Sequence, residues 1–158
     1  KHGDVLLADD AVEALRTELV PLAMVVTPNL EEAARLVGSP ITDRAGMVEA
    51  ARALVAAGAG AALVKGGHLG GDQSPDCLVV AGRPEPVWLE GARIPGRHTH
   101  GTGCVLSAAI TAELARGMDP PDACVAAKRF VERAIAAGVD LGAGVGPVSP
   151  GPVTGAGH

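Results

Sequence analysis

Gly101-Thr102-Gly103-Cys104, preceded by His98-Thr99-His100 and followed by Val105-Leu106-Ser107-Ala108-Ala109-Ile110, is the stretch of this 158-residue chain best suited to chemistry. A Gly-Thr-Gly turn entering a helix leaves several backbone N–H groups unpaired. They point one way, at the positive end of the helix dipole. Such a turn is a ready anion site. Cys104 falls in the first helical turn, the place on a helix where a thiolate is best stabilised. The same pattern also describes a tight turn with a small core cysteine. A zinc site from His98, His100 and Cys104 needs a fourth ligand that the neighbourhood does not offer.

Two further clusters have the right residue types for phosphate work. In Thr27-Pro28-Asn29-Leu30-Glu31-Glu32, Asn29 and Glu32 stand three apart at a helix start and share a face. An amide and a carboxylate there can order a hydrated Mg²⁺ beside a phosphate. They can equally form a capping box, and the two roles are compatible. In Lys65-Gly66-Gly67-His68, glycines allow close approach to the backbone and Lys65 can lie along a phosphate. A flexible turn with a solvent-facing Lys is the plainer alternative. This is not a Walker P-loop, because no Ser or Thr follows the Lys as that motif requires. Phosphoryl transfer needs such a set: donors for developing charge, a metal, and a base for the attacking hydroxyl.

The elements that must position these residues follow from periodicity and punctuation. Asp9 or Asp10 can cap a helix to about Val20, with Val12, Leu15 and Leu19 on one face, and Pro21 ends it. Ala23 to Thr27 reads as a short strand buried on both faces. Asn29 starts a helix to about Val37, and Thr42 or Asp43 caps another to about Ala57. Ala61 to Val64 is a second buried strand. Strand, helices, strand predicts a parallel pair. Cys77–Ala81 and Val87–Leu89 read as a hairpin. Long helices are expected from about Gly103 to Arg116 and from Pro120 to about Ala137. The tail from Gly138, rich in Gly and Pro, is expected to pack loosely. The class is α/β with a mostly parallel sheet. In such sheets ligands sit at the carboxyl ends of strands, where the loops after Thr27 and Lys65 fall, and all three clusters are expected at one sheet edge.

Composition narrows the function. A net charge of −5 argues against a general nucleic-acid or membrane-surface binder. Trp88 and Phe130 are the whole aromatic complement, which excludes a base-stacking platform. The longest nearly uncharged apolar run, Ala53 to Val64, is too short to span a bilayer. Cys77, Cys104 and Cys124 are an odd, sparse set without a C-x-x-C pair, which suits a reducing compartment, the cytoplasm. A thiol enzyme built on Cys104 lacks an evident His–Asp orienting pair.

Thr99-His100-Gly101-Thr102-Gly103-Cys104 with Val105–Ile110 closely resembles the signature of the hydroxymethylpyrimidine/phosphomethylpyrimidine kinases of thiamine biosynthesis, in the ribokinase superfamily. Thr27-Pro28-Asn29-Leu30-x-Glu32-Ala33, Val64-Lys65-Gly66-Gly67-His68-Leu69 and Val145-Gly146-Pro147-Val148 resemble further segments of that family, in the same order. The resemblance implies a ribokinase-like three-layer α/β/α fold. It implies ATP- and Mg²⁺-dependent phosphorylation of a small pyrimidine alcohol and then of its monophosphate. Carried over by position, Gly101, Thr102 and Gly103 form the anion hole and Cys104 stands where the catalytic base does. Asn29 and Glu32 support Mg²⁺ through water, and Thr27, Lys65, Gly66, Gly67 and His68 lie near the nucleotide. For the monophosphate the acceptor is already an anion, so a base matters less and the anion hole more.

Three departures stand out. His98 replaces the family's usual Asn, a His usual near Ala143 is absent, and the tail after Val148 is unlike the family. The match begins partway through the family's chain, so residues 1–148 are expected to be its nucleotide-side portion and 149–158 a flexible tail. The first strands and most of the pyrimidine pocket would then be missing, leaving an incompletely covered sheet edge with apolar area exposed. A homodimer is a candidate assembly, because superfamily relatives are often dimers. The alternatives are a pyridoxine/pyridoxal-type kinase and a truncated, inactive nucleotide-binding module.

Overall fold

Short polar side chains set most of the helix starts in this chain. A computed structural model describes residues 8–67, 69–83, 85–94, 100–138, 144, 146–149 and 151. They fall into two compact units, Lys1–Ala92 and Arg93–His158.

The first unit opens with α1 (Asp9–Ala14), which begins after Ala8 and has no side-chain cap. The cap expected from Asp9 or Asp10 is therefore not made at this end. The helix widens into a π turn over Leu15–Leu19 and tightens into a 3₁₀ turn over Val20–Leu22, where Pro21 removes a donor. Each change of winding rotates the side chains that follow. Leu19, expected on the buried face, is exposed.

Asn29 caps α2 (Leu30–Val37), which ends on Gly38 in the left-handed conformation. Asp43 caps α3 (Arg44–Ala56) by accepting from the Gly46 N–H. The strands are β1 (Ala61–Lys65), β2 (Asp76–Val80) and β3 (Val87–Leu89), in spatial order β1-β2-β3. Both pairings are antiparallel, with Leu63 opposite Leu78 and Cys77 opposite Trp88. The expected β2–β3 hairpin is present.

The expectation of a mostly parallel sheet is corrected for these three strands. The Gly66–Pro75 connection is too short for a helical crossover and sends the chain straight back. Parallel pairing does occur at the other edge of β1, in the bridges Val26–Ala62 and Asn29–Lys65. The Val26 N–H donates to the Ala61 carbonyl (3.0 Å) and the Leu63 N–H to the Val26 carbonyl (2.8 Å). The segment before Asn29 is not buried on both faces as expected. Leu22 is 83% and Met24 61% exposed. The backbone N–H and C=O of Val25 and Thr27 have no partner among the described residues. One side of this segment is paired and the other is open.

The core of this unit joins α3 to the sheet: Met47, Ala50, Ala51 and Leu54 pack with Ala62, Val64, Cys77 and Val79. Burial of their apolar surface is the main driving force for this layer. At its rim the Arg44 guanidinium stacks 3.9 Å above the Trp88 ring and pairs with Glu90.

The second unit holds α4 (Thr102–Ala115) and α5 (Pro120–Ala136), which pack on each other. Gly117, with φ of 92°, turns the chain between them. Asp119 caps α5 by accepting from the Asp122 N–H. Buried Ala123, Cys124, Ala127, Val131 and Ala134 form its inner face at helical spacing. Residues 146–149 differ from the loose tail expected. Gly146 and Val148 are buried, and the Ser149 N–H donates to the Ala134 carbonyl at 2.9 Å. Most of the expected 149–158 tail lies outside the described residues.

Candidate functional site

Lys65 ends β1 beside Asn29, its parallel bridge partner, and the Lys65 N–H donates to the Pro28 carbonyl at 2.9 Å. The Thr-Pro-Asn segment and the Lys-Gly-Gly loop are therefore neighbours at the carboxyl end of a strand. Asn29 and Glu32 form a full capping box. The Glu32 N–H donates to Asn29 Oδ1 and the Asn29 N–H to Glu32 Oε2, both at 2.8 Å. The capping role is thus real, and it limits what else these groups can do. Asn29 Oδ1 and Glu32 Oε2 are engaged, which leaves Glu32 Oε1 as acceptor and the Asn29 amide as donor. That donor set does not wrap a bare cation. It fits a metal that keeps its waters, with Glu32 Oε1 accepting from one of them, which is how Mg²⁺ is usually held. The Lys65 ammonium has no ion pair among the described residues. Thr27 is half-buried at the same strand end.

Gly66 and Gly67 have different reasons to be glycine. A Cβ on Gly66 would overlap the Pro75 carbonyl oxygen and press on Met47 Cε at 3.0 Å. The fold by itself therefore requires glycine at position 66. At Gly67 the nearest atom to a Cβ is Ser74 Oγ at 3.5 Å, so that position is roomy. The loop is anchored by Asp76, 7% exposed, whose Oδ1 accepts from the Gly66 N–H at 3.0 Å. Asp76 belongs to none of the three sequence clusters. Its signal is an acid directly before the apolar run Cys77–Val80, at a place where a buried N–H needs an acceptor. His68 lies outside the described residues, as do His98 and Thr99.

The turn at 101–104 belongs to the second unit. Gly101 is the residue before α4 and adopts φ of 86°, a conformation that favours glycine. No side chain caps this helix, unlike α2, α3 and α5. In this first turn the Gly103 and Cys104 N–H groups have no carbonyl one turn back, so they are available to an anion. Gly101, Thr102 and Gly103 are half-buried and Cys104 is exposed, so the turn is open to a ligand. The alternative of a small core cysteine is excluded for Cys104. Residues 146–148 hold the approach to this turn. The His100 N–H donates to the Gly146 carbonyl (3.2 Å) and the Val148 N–H to the His100 carbonyl (3.1 Å).

The other two cysteines are buried, and none of the three forms a disulfide. Burial pushes the Cys77 thiol up to about 11, against a smaller opposing pull from Arg44 and Arg52, so it stays protonated and inert. Among the described residues no group of three or more His, Cys, Asp or Glu is placed to hold a metal directly. Among them, too, no helix is long and apolar enough to cross a membrane.

Comparison with known proteins gives a consistent family. The phosphomethylpyrimidine kinase family model matches residues 1–149. The hydroxymethylpyrimidine/phosphomethylpyrimidine kinase of Streptomyces coelicolor is 49% identical over 151 residues, covering 96% of this chain and 55% of that protein. Its counterpart in Escherichia coli is 42% identical over 151 residues, covering 94% and 56%. Among solved structures, the pyridoxal kinase from Staphylococcus aureus in complex with ADP is similar with a TM-score of 0.89 and 36% identity, covering 96% of this chain and 56% of that one. A phosphomethylpyrimidine kinase from Clostridium difficile is similar with a TM-score of 0.69 and 32% identity, covering 85% and 53%. The chain spans a little over half the length of the curated relatives it matches.

Proposed function

The chain belongs to the phosphomethylpyrimidine kinase family, and from that membership we propose that it serves the ATP-dependent phosphorylation of 4-amino-5-hydroxymethyl-2-methylpyrimidine, and then of its monophosphate, on the route to thiamine diphosphate. The observation that carries this reading is the accessible, uncapped turn that opens α4 at the family's signature residues. Its amides at Gly101, Thr102 and Gly103 donate to the oxygens of the transferred phosphoryl group, where negative charge develops. The hydroxymethyl oxygen attacks the γ-phosphorus. The bond from that phosphorus to the β,γ-bridging oxygen breaks, and ADP leaves with the electron pair. The hydroxyl proton passes to Cys104 Sγ, which accepts it as the thiolate and becomes the thiol.

Lys65, with Gly67, His68 and Thr27, serves the nucleotide. Lys65 brings a positive charge and Gly67 an approachable backbone; Gly66 shapes the loop. Asn29 and Glu32 hold a hydrated Mg²⁺ through water, and such an ion neutralises phosphate charge when bound. We also assign the ribokinase-like α/β/α layering, on the strength of the structural neighbours. Three cysteines without a disulfide suit a reducing, cytoplasmic setting.

The test is direct. Purified chain with Mg-ATP and the pyrimidine alcohol is expected to yield the phosphorylated product by mass spectrometry. No product, together with no thermal stabilisation by ADP, overturns the reading. Stabilisation by ADP without product favours a nucleotide-binding module. One observation favours a second acceptor: the pyridoxal kinase neighbour has the higher TM-score. Pyridoxal is therefore the competing substrate in the same assay. The higher identity to the pyrimidine kinases supports the pyrimidine.

A further inference from the structure

We propose that Val148 is a positioning residue, which holds the Gly101–Cys104 turn in the shape that presents its amides to phosphate. The proposal rests on the reading that this turn binds phosphate. It begins from a contrast. The starts of α2, α3 and α5 are fixed by their own neighbouring side chains. The start of α4 has no such fix, and Gly101 is the residue type least able to hold a conformation unaided. Something distant in sequence must hold it.

Residues 146–149 do so. They pair with His100 through two backbone hydrogen bonds, to the Gly146 carbonyl and from the Val148 N–H. The residue bridged to His100 is Pro147, whose missing N–H costs nothing because the flanking residues make both bonds. Beyond them, the Ser149 N–H donates to the Ala134 carbonyl in the last turn of α5. The clasp therefore runs from the end of one helix to the residue before the cap of the other. Val148 is its buried side chain, 8% exposed. Its Cγ2 lies 3.9 Å from where a Cβ on Gly101 would stand, so its methyl surface backs the left-handed glycine.

Two substitutions separate positioning from plain stability. Val148→Thr keeps the shape but buries a hydroxyl; Val148→Ala removes the surface behind Gly101. Amide hydrogen exchange reads the turn directly at Val105, whose N–H donates to the Gly101 carbonyl at 2.9 Å, with Ala127 and Val131 of α5 as internal references. Val148→Ala is expected to speed exchange at the turn about tenfold relative to those references. Val148→Thr is expected to leave that ratio unchanged even where it lowers overall stability. ADP affinity, by titration calorimetry, is expected to follow the ratio: weakened in Val148→Ala, retained in Val148→Thr. Equal acceleration at the turn and in α5, or the same change of ratio in both variants, overturns the proposal. If Val148→Ala does not fold, the Val148→Thr variant alone decides: its turn ratio is expected to be unchanged, and a raised ratio overturns the proposal. If the unsubstituted chain does not bind ADP, the phosphate reading fails while the exchange ratios still decide whether Val148 holds the turn.

Discussion

Asn29 and Glu32 each satisfy the other's backbone N–H, so one carboxylate oxygen of Glu32 is committed to starting a helix and the other is left for other work. Substitution can pull these duties apart. Glu32→Ala removes the acceptor and is expected to cost about 1 kcal/mol of stability, read from the urea midpoint. Glu32→Gln can still accept from Asn29 and is expected to keep that midpoint. It is nevertheless expected to need more Mg²⁺ for half-maximal turnover. An unchanged metal dependence would leave Glu32 as a cap and nothing more.

Cys104 is the accessible thiol among three. A colourless thiol reagent is expected to modify Cys104 first in the native chain, with Cys77 and Cys124 reacting only on unfolding. ADP is expected to slow that modification. Cys104→Ala is expected to lower turnover of the pyrimidine alcohol by about 100-fold or more, the usual scale for losing a general base, with little change in ADP affinity. The loss is expected to be smaller with the monophosphate as acceptor. Equal losses in turnover and ADP affinity would contradict the base assignment.

The two glycines after Lys65 are expected to respond differently to the same methyl group. Gly66→Ala meets the Pro75 carbonyl and is expected to cost about 3 kcal/mol. Gly67→Ala meets only Ser74 Oγ at 3.5 Å, and its cost is expected to stay within about 1 kcal/mol. Asp76→Ala, which strips the Gly66 N–H of its acceptor, is expected to cost about 1–3 kcal/mol. Denaturant midpoints rank the three. A Gly66→Ala chain as stable as Gly67→Ala would mean that the loop can move away from Pro75.

Cys77 gives a pH dependence with a defined sign. Its thiol is raised by burial from an ordinary 9.0 to about 11. Between those values the unfolded chain releases the proton while the folded chain keeps it. Stability therefore falls as pH rises from about 9 to about 11 and levels off above that, by on the order of 2 kcal/mol. Cys77→Ala is expected to flatten this limb of the urea midpoint against pH. The same slope in the variant would assign it to other groups.

Helix starts were legible because they are local. Asn29, Asp43 and the Pro120-Pro121 pair sit next to what they fix, and the apolar spacing does the rest. The motif turn was legible for the same reason. The direction of β1 against β2 was not, because a continuous apolar run suits either sense and only the length of the Gly66–Pro75 connection decides. The winding change at Leu15 left no mark in the spacing of Val12, Leu15 and Leu19. Asp76 and Val148 act on residues distant from them in the chain, so pattern alone gave them no role. Gly146-Pro147 reads as tail by composition, although it is tied to His100.

The open side of the Ala23–Pro28 segment has a practical consequence. Among the described residues the amides and carbonyls of Val25 and Thr27 stay unpaired beside the exposed Leu22 and Met24, a template on which another polypeptide can lay down hydrogen bonds. Concentrated solutions of the isolated chain will accordingly clump before they unfold, and a lysine in place of Met24 will act as gatekeeper, keeping light scattering low at concentrations where the unaltered chain turns cloudy.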